Sequence, residues 1–195
     1  RATLRSIGKR QRSMKSDSFL LKAVLEERLN RFLENEEQSP ERQVEKILFL
    51  ENRFEDSIKL SCGVIKFKYI VDRIDKLKDG TIMIIDYKTG GIDQMPKSLE
   101  RVKAIELSRE TIRDSVQSFQ IPLYFYYLNK QFPGRPVNAA LYNLRTLELH
   151  KFIDGKEAAR DADVHEVFLK TLDFTLAEIL NPQIDFVEDK SKVNG

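Results

Sequence analysis

The chain reads as a mixed α/β (α+β) protein, a central mixed β-sheet flanked by helices. Three observations predict this. Apolar residues recur at helical spacing over residues 17–36 and 163–180. A long β-hairpin is centred on Lys78-Asp79-Gly80. The order helix, strand, hairpin, helix, strand alternates the two element types around one sheet.

Length and composition set the frame. One domain is the default for 195 residues, and that length can bury a sizeable core. It divides into a helical N-terminal part over 1–40, a core over 41–155, and a C-terminal helix and tail over 156–195. Hydrophobic residues at 41% and charged residues at 33% fit a globular protein with a charged surface. The net charge of +2 does not itself announce a polyanionic partner, although a net value hides local patches. Lysines and arginines are dense from Lys66 to Lys103, as phosphate contacts or as a solvated face. A single cysteine, Cys62, excludes an internal disulfide framework and fits a reducing compartment. No apolar run has the length of a membrane span and no signal-peptide core is visible, so a cytoplasmic location without membrane attachment is expected.

Each element has a local reason. Residues 1–12 carry five cations, a basic tail or a segment cut from its packing partner. Leu21, Val24, Leu25, Leu29, Phe32 and Leu33 lie on a helix over 17–36, with Asp17 or Ser18 as cap. Ser39-Pro40-Glu41 resembles a helix start, with Pro40 at the first helical position and Gln43 in reach, and predicts a helix toward Leu48. The first strand is predicted over Glu51–Leu60, the hairpin strands over 64–77 and 81–88. Ile82-Met83-Ile84-Ile85 is continuously apolar, as in a strand covered on both faces. Residues 98–117 read as a charged helical connection that either borders a binding groove or only links elements. A helix begins between Ser118 and Ile121, where Pro122 is harmless in a first turn, and runs through Leu128. Strands are predicted over 137–142 and 147–152, with His150 a surface strand residue. The helix over 163–180, with His165 in its first turn, stops at Asn181-Pro182.

The chemistry concentrates on the hairpin. Val71-Asp72-Arg73-Ile74-Asp75 is followed, fourteen residues after Asp72, by Ile85-Asp86-Tyr87-Lys88-Thr89-Gly90. A three-residue loop with Gly80 in the left-handed conformation pairs Leu77 with Thr81 and sets Asp72 opposite Asp86, with Lys88 on the same face. A two-residue Asp79-Gly80 turn instead pairs Asp86 with Arg73 and sends Asp72 to the other face. Asp-Gly serves both turns, so local sequence leaves both registers open. In the first, like charges face each other at a cost that a divalent cation between them would reverse. Asp86 ends an apolar strand, where a carboxylate needs a partner or a metal. Gln120 and Tyr124, four apart, share one face of the helix that follows; on their own they also fit a buried helix with a capping glutamine and a core tyrosine.

The ordered set Asp…Asp-Xaa-Lys…Gln-Xaa-Xaa-Xaa-Tyr, over about residues 45–145, resembles the RecB-type branch of the PD-(D/E)XK nucleases, found in helicase–nucleases such as RecB and the AddA/AddB pair. The resemblance implies a restriction-endonuclease-like core and metal-dependent hydrolysis of DNA. It implies that Asp72, Asp86 and the backbone carbonyl of Tyr87 hold Mg²⁺ or Mn²⁺. Lys88 would then be catalytic, and Gln120 and Tyr124 would position the DNA backbone or brace the site. Relatives carry an acid near the start of the first strand, so Glu51 either approaches the metal or faces solvent. Relatives also carry a Gly-Xaa-Xaa-Xaa-His helix upstream of the first motif aspartate, and commonly a glycine where Tyr69 stands. His150 and His165 are both downstream, and the chain starts at Arg1. The sequence is therefore read as a fragment beginning after the histidine helix, or as a divergent member without it. No phosphate-binding loop is visible, so a helicase partner, domain or subunit, would carry the ATPase. The competing readings are an inactive nuclease-fold module for DNA binding or scaffolding, and an unrelated α/β binding protein with surface ion pairs.

Overall fold

The computed structural model describes residues 16–39, 43–90, 95–153 and 161–187. Two compact units divide at Gln43/Val44. The first contains helix α1 (Ser16–Gln38), in which Asp17 and Ser18, read as caps, are internal. Lys22–Glu26 and Glu27–Arg31 ion pairs support it at i,i+4 spacing. Its Leu21, Leu25 and Leu29 are exposed. The predicted basic tail of residues 1–12 lies outside the described residues.

The second unit is built on one five-stranded sheet in the order β1-β2-β3-β4-β5. The strands are β1 (Val44–Leu60), β2 (Gly63–Leu77), β3 (Ile82–Lys88), β4 (Val137–Asn143) and β5 (Glu148–Lys151). β3 and β4 pair in parallel and every other pair is antiparallel, so the sheet is mixed. Helices α2 (Leu99–Lys103), α3 (Arg109–Val116) and α4 (Gln120–Gln131) form the crossover from β3 to β4, and α5 (Asp161–Ile179) follows β5.

The hairpin takes the three-residue loop. Leu77 N donates to Thr81 O at 2.8 Å, Gly80 N donates to Leu77 O at 3.0 Å, and Gly80 has φ of 90°. A residue without a Cβ suits that conformation. The ladder then runs Lys76↔Ile82, Asp75↔Met83, Ile74↔Ile84 and Arg73↔Ile85. Ile82–Ile85 are each at most 2% exposed, so the apolar run is covered on both faces. Ile74, Ile82, Ile84, Ala139 and Leu141 pack against Val102, Val116, Tyr124, Phe125, Leu128 and Phe168 from the helices. Each large side chain buried this way contributes about 1.5–3 kcal/mol.

Two elements differ from expectation. The helix predicted from Pro40 toward Leu48 is absent where it can be described: Pro40 and Glu41 lie outside the described residues, and Val44–Leu48 is strand. β1 starts seven residues before Glu51 because the far half of β2 needs a second partner. Val44↔Leu77 and Ile47↔Asp75 supply it, with irregularities between Val44 and Lys46 and between Ile47 and Phe49. The charged connection over 98–117 is two short helices, not one. Ser108 starts the second with a reciprocal cap: its Oγ accepts from Thr111 N at 3.2 Å and its N donates to Thr111 Oγ1 at 3.0 Å. Gln117, at φ of 58°, ends α3 and turns the chain into α4.

Candidate active site at the end of the third strand

The β2–β3 ladder stops at Arg73↔Ile85. One step further the same register sets Asp72 opposite Asp86. Asp72 Oδ2 accepts from Tyr87 N at 2.8 Å, so a side chain takes over where ladder bonding ends and holds Asp72 at the mouth of the opening strands. Asp86 is buried and Asp72 half-buried.

Helix α4 closes the opening from one side. Its first turn tolerates Pro122 because that amide would have no helical acceptor. Gln120, at the first helical position, is half-buried. Its Nε2 donates to Asp86 Oδ1 at 2.8 Å and to Tyr124 Oη at 2.9 Å, and its Oε1 accepts from Lys88 Nζ at 3.1 Å. Lys88 Nζ lies 2.7 Å from Asp86 Oδ2. Tyr124 Oη donates to Ile70 O at 2.8 Å. Each donor thus meets an acceptor, which fixes the amide orientation of Gln120. The circuit runs from β3 through α4 to the backbone of β2.

The electrostatics are those of a carboxylate held against its charge. Burial pushes the Asp86 carboxyl above the usual aspartate range and Asp72's negative charge adds to the rise; Lys88 and Gln120 counter it only in part. Burial likewise raises the Tyr124 phenol, reinforced by Asp86 and Asp72 against the Gln120 hydrogen bond. A cation between Asp72 and Asp86 would remove the repulsion that adds to the effect of burial on Asp86. Two carboxylates with a backbone carbonyl beside them form a hard-oxygen donor set, the kind Mg²⁺ takes when substrate and water complete its shell. The residues present fit such an ion.

The structure thus brings Asp86, Lys88, Gln120 and Tyr124 into one hydrogen-bonded group, with Asp72 opposite Asp86 and the Tyr87 peptide between them. Glu51 stands apart. It is exposed with φ of 45°, between the pairs Leu50↔Arg73 and Asn52↔Val71. No group of three or more His, Cys, Asp or Glu side chains able to hold a metal forms among the described residues. His150 sits on β5, 3.6 Å from Glu148.

A second cluster supports the site, and sequence reading assigned it no role. Asp75 is fully buried and accepts from Arg73 Nε at 2.8 Å; the Arg73 guanidinium also lies 3.3 Å from Tyr87 Oη. Burial opposes the charge of Arg73, but Asp75 and Tyr87 more than offset it and hold the guanidinium firmly protonated. Tyr87 is therefore gripped at its amide by Asp72 and at its hydroxyl by Arg73. The signal was the Arg73-Ile74-Asp75 triplet, in which opposite charges two apart share one strand face.

The chain matches the PD-(D/E)XK nuclease superfamily over residues 3–191. The crystal structure of SSO0001 is similar at 14% identity, covering 88% of this chain and 73% of that one, with a TM-score of 0.33. No curated protein matches.

Proposed function

The chain belongs to the PD-(D/E)XK nuclease superfamily, and from that membership we propose that it is a metal-dependent deoxyribonuclease working at Asp72, Asp86 and Lys88. Its mixed sheet with flanking helices is the restriction-endonuclease-like fold of that superfamily. The observation that carries the reading is the Gln120 amide, which joins Asp86, Lys88 and Tyr124 at the end of β3.

Asp72 and Asp86, with the Tyr87 carbonyl, would hold Mg²⁺ or Mn²⁺, and Tyr87 is kept in place by Asp72 and Arg73. The bound ion would supply charge neutralisation at the scissile phosphate and a more acidic water. Lys88 presents a cation beside Asp86, placed to orient the attacking water or to stabilise negative charge building on phosphate oxygens. Gln120 keeps Lys88 and Asp86 in register with each other. Tyr124 ties that group to Ile70 and so to β2.

The RecB-type order of motifs supports a finer reading: the exonuclease part of a bacterial helicase–nuclease or other DNA-repair protein, cytoplasmic, with the ATPase on another domain or subunit. No described helix is long and apolar enough to cross a membrane. The test is cleavage of linear DNA by the intact protein with Mg²⁺ or Mn²⁺ and with EDTA. Metal-dependent cleavage lost in Asp86→Ala is the expected result. Full activity in that variant would assign the nuclease to another protein.

A further inference from the structure

Beyond β3 the β1–β2 hairpin continues as an unbroken antiparallel ladder from Asn52↔Val71 to Leu60↔Gly63. Its two faces differ. The inner face packs on helices: Tyr69 stacks on Tyr127 with ring centroids 5.0 Å apart and on Phe54 at 5.3 Å, and Asp56 pairs with Lys130 at 2.6 Å. At the tip, Ser61 donates from both N and Oγ to Asp173 of α5 at 2.8 Å. The hairpin is thus a braced arm.

The outer face carries Arg53, Glu55 and Lys59 on β1 and Val64, Lys66, Lys68 and Ile70 on β2, all exposed. Lys68 pairs with Glu55 at 2.9 Å. Arg53, Lys59 and Lys66 have no ion-pair partner among the described residues. Like charges on one sheet face repel and do nothing for the fold. The row ends at the strand end that carries the site: Asp72 is two positions beyond Ile70 on β2, while Asp86 and Lys88 meet Gln120 and Tyr124 on the α4 side of the sheet.

We infer that this face is a track for the sugar-phosphate backbone of the nucleic acid that reaches the site. The inference rests on the nuclease reading above. Three uncompensated cations on a rigid strand pair complement a polyanion. Exposed Val64 and Ile70 between them offer apolar contact to sugars. The face has no aromatic side chain for stacking on bases, so the contacts are sequence-independent.

The experiment measures binding of fluorescein-labelled single-stranded DNA, the matching duplex and the matching RNA by anisotropy over a salt series, in EDTA so that nothing is cut. For single-stranded DNA, each phosphate contact contributes about 0.7 to the log–log salt slope, so Arg53→Gln/Lys59→Gln/Lys66→Gln should flatten it by about 2. Glu55→Gln, which frees Lys68, should steepen it. An unchanged slope in the triple variant, with the parent binding normally, overturns the track and leaves the nuclease reading standing. A parent that binds none of the three nucleic acids removes both. Should the triple variant lose its near-ultraviolet circular dichroism, Lys66→Glu alone takes its place, and an unchanged slope there counts equally against the track.

Discussion

Asp72 accepts the backbone N–H of Tyr87 at 2.8 Å, one residue beyond the last β2–β3 ladder pair. The carboxylate thereby does for β3 what a neighbouring strand's carbonyl would have done. The bond ties fold stability and the candidate metal site to one side chain, and the two roles can be separated.

Asp72→Ala should leave the Tyr87 amide without its acceptor and cost about 1–3 kcal/mol in denaturant unfolding. Asp72→Asn keeps an acceptor oxygen and should cost less. Both should weaken Mn²⁺ binding measured by calorimetry. Undiminished Mn²⁺ affinity in Asp72→Asn would remove Asp72 from the ligand set.

Asp86 predicts a pH dependence. Its folded-state pKa is raised, mainly by burial, so its stabilising contribution is complete below the unfolded aspartate pKa of about 3.9 and is lost as pH rises through the folded value. Without metal, Asp86→Asn should melt a few degrees higher than the parent near neutral pH, the shift that about 1 kcal/mol produces in a domain of this size. The gain should shrink toward acid pH. Mg²⁺ should raise the melting temperature of the parent and not that of Asp86→Asn. A variant that melts lower at neutral pH would show that the Lys88 contact outweighs burial.

For catalysis, Asp86→Ala should abolish metal-dependent DNA cleavage with the fold intact. Lys88→Ala should lower the rate by about 10²–10³, as loss of one electrostatic stabiliser does. A Lys88→Ala enzyme at the parental rate would leave the lysine a structural partner of Asp86.

Gln120 and Tyr124 separate by their readouts. Gln120→Ala should lower cleavage or DNA affinity with little change in melting temperature, since the residue is half-buried and its side-chain hydrogen bonds go to the site circuit. Tyr124→Phe should be milder than Tyr124→Ala, because it keeps the buried ring and loses only the bonds to Gln120 and Ile70. A large fall in melting temperature for Gln120→Ala with DNA affinity unchanged would make Gln120 a residue of the core.

By itself the sequence determined what depends on neighbours in the chain. The apolar run Ile82–Ile85 specified a strand buried on both faces, and Pro122 marked a first helical turn. Lys78-Asp79-Gly80 specified a hairpin but not its register, because Asp-Gly satisfies two turns; the three-residue loop was selected where Ile74, Ile82 and Ile84 meet the helices in one core. Tertiary structure alone decided that Val44–Leu48 is strand, since the Ser39-Pro40-Glu41 signature is local while the unpaired edge of β2 is not. It alone buried Asp75 beneath Arg73, and it alone closed the Asp86–Gln120–Tyr124–Ile70 circuit, whose members lie up to 54 residues apart. The division follows from range: turns, caps and periodicity are energies of adjacent residues, whereas burial of a charge and satisfaction of a strand edge exist only once distant segments meet.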